Sequence, residues 1–299
     1  MILQEVYDEF ILSRILQNLS GRSVEAYKNF LMPFLASIGL NKPFSCIGQA
    51  DIRQSLLGVV SRPLSDATKA TYIRHFKVFL KWASDEYPPV AFKYQSIKVP
   101  KSPKKEVPIY TASEIHAIFD AVDAESDWLV YRNKAILALM YDSGLRRSEV
   151  CTLECSFLSF EENRLTVHGK GNKDRTVPLG NLTRQYLTEY FKTCPFSSRF
   201  VFVSRRGDYL TGNTVKLLVR KISEKLPFEF SSHKLRHNFA TNYCIDQYEK
   251  TGQVDIYKLM YLMGHSDVET TSRYLHFAYE ILASRDSISH LDKLHNALV

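Results

Sequence analysis

The sequence predicts a mainly helical protein with a small β-hairpin, divided into two domains. Apolar residues recur at helical spacing over residues 1–95 and again over much of the chain after residue 109. A run rich in proline and lysine separates these two parts at residues 96–108. Residues 164–180 instead alternate apolar and polar side chains around turn-forming residues, a period typical of paired strands.

The first domain, residues 1–95, is predicted to contain four helices. The first holds a series of apolar residues that begins at Ile2, and the dipeptide at residues 20–21 interrupts it. Serine and aspartate are favoured where a helix begins, because their side chains accept hydrogen bonds from free backbone N–H groups. The three later helices are predicted to start near Ser23, Asp51 and Ser65.

Basic residues follow the fourth helix and the linker. A row of such residues is most often a solvated face, but in a basic chain we favour contact with a nucleic-acid backbone. On the helix the row consists of Arg74, Lys77 and Lys81. In the linker, residues 96–108, the corresponding lysines are Lys101, Lys104 and Lys105.

The second domain, residues 109–299, is predicted to open with a capping box from Thr111 to Glu114. Two helices follow, at residues 132–141 and 147–152, with Gly144 as the break between them. The hairpin at residues 164–180 places Lys170 at or beside its turn. A further strand is expected at residues 199–204.

The last part of the chain is predicted to be helical again. Helices are expected at residues 213–222, from His233, and at 256–263, where Gly264 ends the helix. A second capping box at Ser266 and Glu269 would place Tyr274 on a helix. A final helix is expected over residues 281–294, with an apolar side made of Ile288, Leu291 and Leu294.

Composition narrows the class of protein. The chain has 299 residues, 45% of them hydrophobic, and a net charge of +7. Such a chain can form a soluble globular protein, and its basic balance favours a nucleic-acid partner. The five cysteines are an odd number without a zinc pattern, which favours free thiols in a reducing cytosol. We expect no signal peptide, because acidic residues occur early, and no membrane span.

The segment at residues 231–241 predicts an anion site. His233 and Arg236 are three residues apart, so a helix would present both on one face. Ser232 is the expected N-cap, and a helix N-terminus adds partial positive charge and free N–H groups. Phosphate is the anion that this combination favours.

Other residues make this segment more specific. In chain order the set is Arg146, Lys170, His233, Arg236, His265 and Tyr274, with nine positions from His265 to Tyr274. These residues and the segments around them, YDSGLRRSEV, VHGKGNKDRTVPLG, HKLRH and LMGHSDVETTSRYLHF, resemble the tyrosine recombinase (phage integrase) family. The resemblance extends from about Val107 to Phe277 and is looser before. It implies an N-terminal core-binding (SAM-like) domain, a catalytic domain and a C-terminal exchange helix.

The residue types suit metal-free cleavage of a phosphodiester. Arg146 and Arg236 can neutralise the non-bridging oxygens, and Tyr274 can act as the nucleophile. Lys170 can protonate the leaving oxygen, while His233 either takes the tyrosine proton or helps to hold the phosphate. His265 would donate a hydrogen bond to the phosphate. The resemblance implies the same roles, with a 3′-phosphotyrosine intermediate and no cofactor.

Several alternatives apply to single residues. Glu149 could pair with Arg146 as a structural ion pair, or could orient it towards a phosphate. Tyr261 and Tyr279 are rival nucleophiles, disfavoured because only Tyr274 stands in register with His265. His233 and His237 could form a zinc pair, but the glutamate of the zincin pattern is missing, so we predict no metal site.

These inferences predict a site-specific DNA recombinase. It would exchange strands through a Holliday junction, as a homotetramer on double-stranded DNA at a specific recombination site. A second recombinase or a DNA-bending protein could assist it, and the expected location is the cytoplasm, near the nucleoid. The alternatives are a type IB topoisomerase-like nicking and resealing enzyme, and a non-catalytic DNA-binding protein of the same fold.

Overall fold

The computed structural model describes residues 1–100, 109–169 and 174–285. Its contacts divide the chain into two compact units between Lys105 and Glu106. Several sequence predictions lie outside the described residues: Lys101, Lys104 and Lys105 in the linker, Lys170 in the hairpin, and Ile288, Leu291 and Leu294 in the tail. The described parts are mainly helical with one small sheet, which confirms the predicted fold class.

The first unit contains the four predicted helices. They are α1 (Leu3–Leu16), α2 (Gly21–Ile38), α3 (Gln49–Val60) and α4 (Asp66–Glu86). Their apolar faces meet in an aromatic core, in which the rings of Phe34 and Phe76 stack with centroids 4.2 Å apart. Ser65 caps α4 as predicted, by accepting a hydrogen bond from the Thr68 N–H.

One prediction for this unit needs correction. The N-cap of α2 is Ser20 and not Ser23, because the Ser20 hydroxyl accepts a hydrogen bond from the Ser23 N–H three residues on. The basic row on α4 is not uniformly solvated. Arg74 and Lys81 are exposed, whereas Lys77 is half-buried and donates to the Ile97 carbonyl at 3.0 Å.

The second unit contains eight helices within the described ranges. They are α5 (Ala112–Asp120), α6 (Asp127–Asp142), α7 (Arg147–Thr152), α8 (Asn181–Thr193), α9 (Gly212–Ser223), α10 (Ser232–Thr251), α11 (Ile256–Met263) and α12 (Val268–Arg285). The capping box at Thr111 and Glu114 forms as predicted, and α7 and α11 have the predicted limits. Helix α8 was not predicted.

A three-stranded antiparallel sheet, in the order β1-β2-β3, lies beside these helices. Its strands are β1 (Leu158–Ser159), β2 (Arg164–His168) and β3 (Asp174–Pro178). Their pairing, with Leu165 opposite Val177, confirms the predicted hairpin. The strand expected at residues 199–204 is wrong, because Phe200 and Val203 form only isolated bridges.

Several helix limits differ from prediction. Helix α6 begins at Asp127, five residues before the predicted start at residue 132, and α9 begins at Gly212 rather than at residue 213. Helix α10 begins one residue early, since Ser231 rather than Ser232 is the N-cap and accepts from the Lys234 N–H. At the start of α12 the Asp267 carboxylate, and not Ser266, accepts from the Glu269 N–H. No new helix starts at Ile281, because α12 continues through it to Arg285.

Two apolar clusters hold the second unit together. The larger one joins α6 to the sheet, α8 and the start of α10. The smaller one lies among α10, α11 and α12 and includes Ala240, Leu259 and Tyr274. Among the described helices none is long and apolar enough to cross a membrane.

Candidate active site

A pocket of about 370 Å³ in the second unit collects most of the predicted site residues. It lies where the ends of α6, α7, α10 and α11 meet the first turns of α12. Its polar lining is Arg146, Arg147, Ser232, His233, Arg236, His265, Arg273 and Tyr274. Five of the six predicted residues are therefore neighbours, although they come from distant parts of the sequence. The sixth, Lys170, lies outside the described residues, in the connection between β2 and β3.

Arg146 is the N-cap residue of α7, and Glu149 ties its side chain and backbone together. The Glu149 carboxylate accepts from the Arg146 backbone N–H at 2.7 Å and from Nη1 at 2.8 Å. Arg146 Nη2 donates to the Gly264 carbonyl at 2.9 Å. The side chain of Arg146 is still 36% exposed. The ion pair that was one alternative is thus present, and it leaves part of the guanidinium facing the pocket.

Arg236 is held more tightly. It is buried on the first turns of α10, and its two terminal nitrogens donate to the carbonyls of Gly144 and Met263. Burial, followed by the charge of Arg146, lowers the pKa of Arg236 to about 9, so the guanidinium remains charged at neutral pH. A buried cation beside other cations is stabilised when an anion approaches.

The two histidines are neutral at pH 7 for the same reason. Burial and the charges of Arg236, Arg146, Arg273 and Arg175 lower the pKa of His265 to about 4. His233 is exposed at the pocket edge, yet partial desolvation and the charges of Arg236, Arg273 and Arg146 also lower its pKa. Both imidazoles can therefore accept a proton when a negative charge enters the pocket.

The orientation of His265 follows from its neighbours. Its Nε2 lies 3.4 Å from Arg236 Nη2, and its Nδ1 lies 2.9 Å from Thr271 Oγ1. Because a guanidinium can only donate, Nε2 must accept, so the proton is on Nδ1 and faces Thr271. In this state His265 has no Nε2 proton to donate to a phosphate.

Tyr274 lies on α12 and forms part of the pocket wall. Its side chain is 1% exposed, and its ring lies among Ala240, Leu259 and Ala278. The Tyr274 hydroxyl accepts from Arg273 Nη2 at 3.4 Å. Packing on three helices therefore fixes the ring while the hydroxyl faces cations.

The two rival tyrosines do not line this pocket. Tyr261 is exposed, and its hydroxyl accepts from the Thr176 N–H at 2.9 Å. Tyr279 is exposed and packs edge-on against Tyr248. Neither hydroxyl is therefore placed beside the arginines, which favours Tyr274 among the three.

The geometry does not support a zinc pair at His233 and His237. His237 is buried, with its ring 5.1 Å from the ring of Tyr274 and 5.1 Å from that of Phe277, centroid to centroid. His233 instead lies at the pocket edge. Across the described ranges, no group of three or more His, Cys, Asp and Glu residues is arranged to hold a metal.

Sequence reasoning missed four residues near the pocket: Arg147, Arg175, Thr271 and Arg273. Arg147 and Arg273 each follow or precede a predicted residue, and only that adjacency could have indicated them. Thr271 is buried and contacts His265. Arg175 is buried behind the pocket, at an inward position of β3 that the alternation of the strand marks as apolar.

The fold and the pocket together define a class of protein. It is mainly helical, in two compact units, and the second unit surrounds a tyrosine with four arginines and two histidines, a set suited to hold a phosphate group. The chain belongs to the phage integrase family, whose sequence model matches residues 109–280. The resemblance drawn from the sequence is thereby confirmed.

Individual relatives agree with this assignment. The chain is similar to tyrosine recombinase XerC of Pseudomonas aeruginosa, with 34% identity over 193 residues, 63% of this chain and 61% of that protein. It is also similar to tyrosine recombinase XerA of Pyrococcus horikoshii, with 35% identity over 184 residues, 60% of each chain. The matches thus span about three fifths of these relatives.

Two solved structures share the fold. One is the XerH site-specific recombinase bound to a palindromic difH substrate, with a TM-score of 0.71 at 22% identity, covering 91% of this chain and 81% of that one. The other is a lambda integrase dimer bound to a COC′ core site, with a TM-score of 0.72 at 19% identity, covering 92% and 77%. The likeness extends over both units.

Proposed function

We propose that this protein is a site-specific DNA recombinase that cuts and rejoins strands through a 3′-phosphotyrosine intermediate and a Holliday junction. The observation that carries the proposal is the convergence of Arg146, Arg236, His265 and Tyr274 on one pocket. Membership in the phage integrase family supports it. The relatives named as recombinases, and the two neighbours described as bound to a palindromic difH substrate and to a COC′ core site, support duplex DNA as the partner.

The proposed reaction assigns each group one task. Arg146 and Arg236 bind the non-bridging oxygens and stabilise the charge of the transition state. The Tyr274 oxygen attacks phosphorus, the bond to the 5′-oxygen breaks, and that oxygen leaves as a 5′-hydroxyl after protonation by Lys170. His233 accepts the proton of the tyrosine, and His265 donates to the phosphate once it carries an Nε2 proton. Rejoining is the same sequence in reverse, with the 5′-hydroxyl of another strand as nucleophile.

The test uses duplex fragments from the DNA that flanks the gene, each with a nick that lets the cut end diffuse away. In excess chelator, the protein should form a denaturant-resistant adduct on one of them, because arginines supply the charge that a metal otherwise would. Two such sites on one plasmid should recombine. Relaxation of supercoils without rearrangement would favour the topoisomerase alternative, and binding without an adduct would favour a non-catalytic DNA-binding protein.

We propose that the functional assembly on DNA is a homotetramer and that the tail beyond residue 285 docks on a neighbouring subunit. The apolar stripe of Ile288, Leu291 and Leu294 in the sequence motivates this. Deletion of residues 286–299 should leave single-site binding intact but abolish cooperative filling of paired sites. Unchanged cooperativity would mean that the tail serves only its own subunit.

We propose that basic residues of α4 and the linker contact the DNA backbone. Arg74 and Lys81 are exposed, and Lys77 is partly committed to the Ile97 carbonyl. Replacing Arg74 and Lys81 by glutamine should weaken binding equally for all sequences and reduce the salt dependence of log K by about one unit per residue. Lys101, Lys104 and Lys105 should behave in the same way.

A further inference from the structure

Arg175 on β3 is a buried cation that does not line the pocket. Its side chain is 3% exposed. Nη1 and Nη2 donate to the two oxygens of Glu149 at 2.9 and 2.8 Å, and Nε donates to the Leu262 carbonyl at 2.8 Å. The guanidinium thus makes a bidentate fork with one carboxylate and a third bond to the end of α11. Each of the three guanidinium nitrogens therefore donates to an acceptor of the protein itself.

The partner of this fork, Glu149, is the residue that holds Arg146. Its side chain is 6% exposed, and its two oxygens accept four N–H groups, two from Arg175 and two from Arg146. Burial alone would raise the pKa of Glu149, but the hydrogen bonds and charge of Arg175, together with the bonds from Arg146, lower it. The carboxylate is therefore ionised and fully bonded, and Arg175 determines which way it faces.

The end of α11 also binds the guanidinium groups of these arginines, through its backbone carbonyls. Three consecutive carbonyls, those of Leu262, Met263 and Gly264, each accept from a different guanidinium: Arg175 Nε, Arg236 Nη2 and Arg146 Nη2. The last carbonyls of a helix have no partner within the helix and carry partial negative charge. One helix end thus holds two of the four pocket arginines, Arg146 and Arg236, and Arg175 fastens that end to the sheet and to Glu149.

We propose that Arg175 is a positioning residue for the strand-cleavage reaction, a role that rests on the proposed function. It fixes Glu149 and the end of α11 relative to each other, and through them it holds Arg146 with its free edge towards the scissile phosphate. Without the fork, Glu149 keeps its hydrogen bonds to Arg146 and a longer ion pair with Arg236 Nη1 at 4.0 Å, and it can shift together with the Arg146 side chain. A displacement of about 1 Å can cost about 10²-fold in rate.

The test measures single-turnover cleavage by Arg175→Lys, which keeps the charge but cannot make the fork. We expect a loss of about 10–100-fold with an unchanged DNA dissociation constant. The matched control is Arg164→Lys on β2, whose guanidinium makes a bidentate pair with Glu162 on the surface, 54% exposed. This control should cleave at the wild-type rate.

Two further measurements separate positioning from general structural support. A methylphosphonate at the scissile position removes one negative charge, so aligned guanidinium groups matter less, and the defect of Arg175→Lys should shrink on it. The double variant with Arg146→Ala should be no slower than Arg146→Ala alone, because Arg175 acts through Arg146. A defect of full size on the methylphosphonate, or additive losses in the double variant, would overturn the proposal.

Arg175→Gln also removes the fork but leaves the bonds between Glu149 and Arg146 in place, and it decides the question in the same assay if Arg175→Lys does not fold. Wild-type protein on the nicked duplex is run alongside every variant. If wild type itself forms no adduct, the proposed function fails. If wild type cleaves and the variants show no methylphosphonate effect, only the positioning role fails.

Discussion

The imidazole of His265 and the phenol of Tyr274 lie nearly parallel, with ring centroids 6.1 Å apart and planes inclined by 14°. His265 follows the end of α11, and Tyr274 is two turns into α12, so the nine-residue spacing returns the chain to the same pocket wall. The nine-residue spacing in the sequence therefore corresponds to two rings that lie side by side on one pocket wall. It places Tyr274 beside the cations while most of its ring is buried in the apolar cluster.

Tyr274→Phe should abolish the covalent adduct, because it removes only the attacking oxygen. The hydroxyl has one long contact, 3.4 Å from Arg273 Nη2, so stability should fall by less than about 1 kcal/mol. Adduct yield on the nicked duplex and the urea unfolding midpoint measure the two effects. Tyr279→Phe, on the same helix but outside the pocket, is the control. A normal adduct yield from Tyr274→Phe would falsify the assignment.

Lys170→Ala should slow cleavage by about 10²–10⁴-fold if Lys170 is the general acid. In a substrate with sulfur in place of the bridging 5′-oxygen, the leaving thiolate needs no protonation. This substrate should therefore restore most of the cleavage rate of Lys170→Ala. Arg146→Ala gives the comparison, because a missing phosphate ligand is not replaced by a better leaving group. Equal rescue of both variants would mean that Lys170 binds phosphate instead.

The free energy of unfolding should depend on pH through the protonation of His265. Its pKa is about 4 in the folded protein and near 6.5 when unfolded, so between these values the unfolded chain binds the extra proton. The stability that neutral His265 contributes is therefore complete above pH 6.5 and is lost as the pH falls towards 4, with a slope of at most about 1.4 kcal/mol per pH unit.

Urea unfolding of wild type and His265→Gln at pH values from 4 to 7.5 measures this effect. The difference in unfolding free energy should decline with falling pH. His116→Gln, at an exposed position on α5 outside the pocket, is the matched control. Parallel curves for wild type and His265→Gln would mean that the arginines do not hold His265 neutral.

Much of the fold follows from local sequence chemistry. Periodicity, caps and glycine breaks predicted α4, α7, α11 and the hairpin, since each is set by residues within the element. Helix α8 was not predicted because its buried face begins with a polar residue, which weakens the apolar stripe. That face consists of Thr183, Leu187 and Tyr190. The N-cap of α2 was placed at Ser23 instead of Ser20, because both serines can cap a helix and only the path of the backbone decides between them.

The residues of the site were predictable from the sequence, but the hydrogen bonds and ion pairs that position them were not. The ordered set of six residues identified the family from the sequence, and five of these residues line one pocket. Arg175 was invisible because its partners, Glu149 and the Leu262 carbonyl, lie 26 and 87 residues away. Contacts of that separation depend on how β3 packs against α7 and α11, and no spacing in the sequence encodes it.

Gly264→Ala should damage the pocket more than the fold. Gly264 ends α11 with φ +58°, and a Cβ there would lie 3.0 Å from Arg175 Nη1 and 3.3 Å from Arg146 Nη1. The methyl group would therefore push on both guanidinium groups that Glu149 aligns. Gly252, which ends α10 with φ +71°, is a matched control because a Cβ there meets nothing within 4 Å.

Both substitutions place alanine in left-handed backbone, so each should cost about 1–2 kcal/mol of stability. Only Gly264→Ala should also slow cleavage, by about 10-fold or more, with its defect reduced on the methylphosphonate substrate. Unfolding midpoints and single-turnover rates of the two variants provide the comparison. If both lose stability equally and both cleave at the wild-type rate, the carbonyls at the end of α11 do not position the arginines for chemistry.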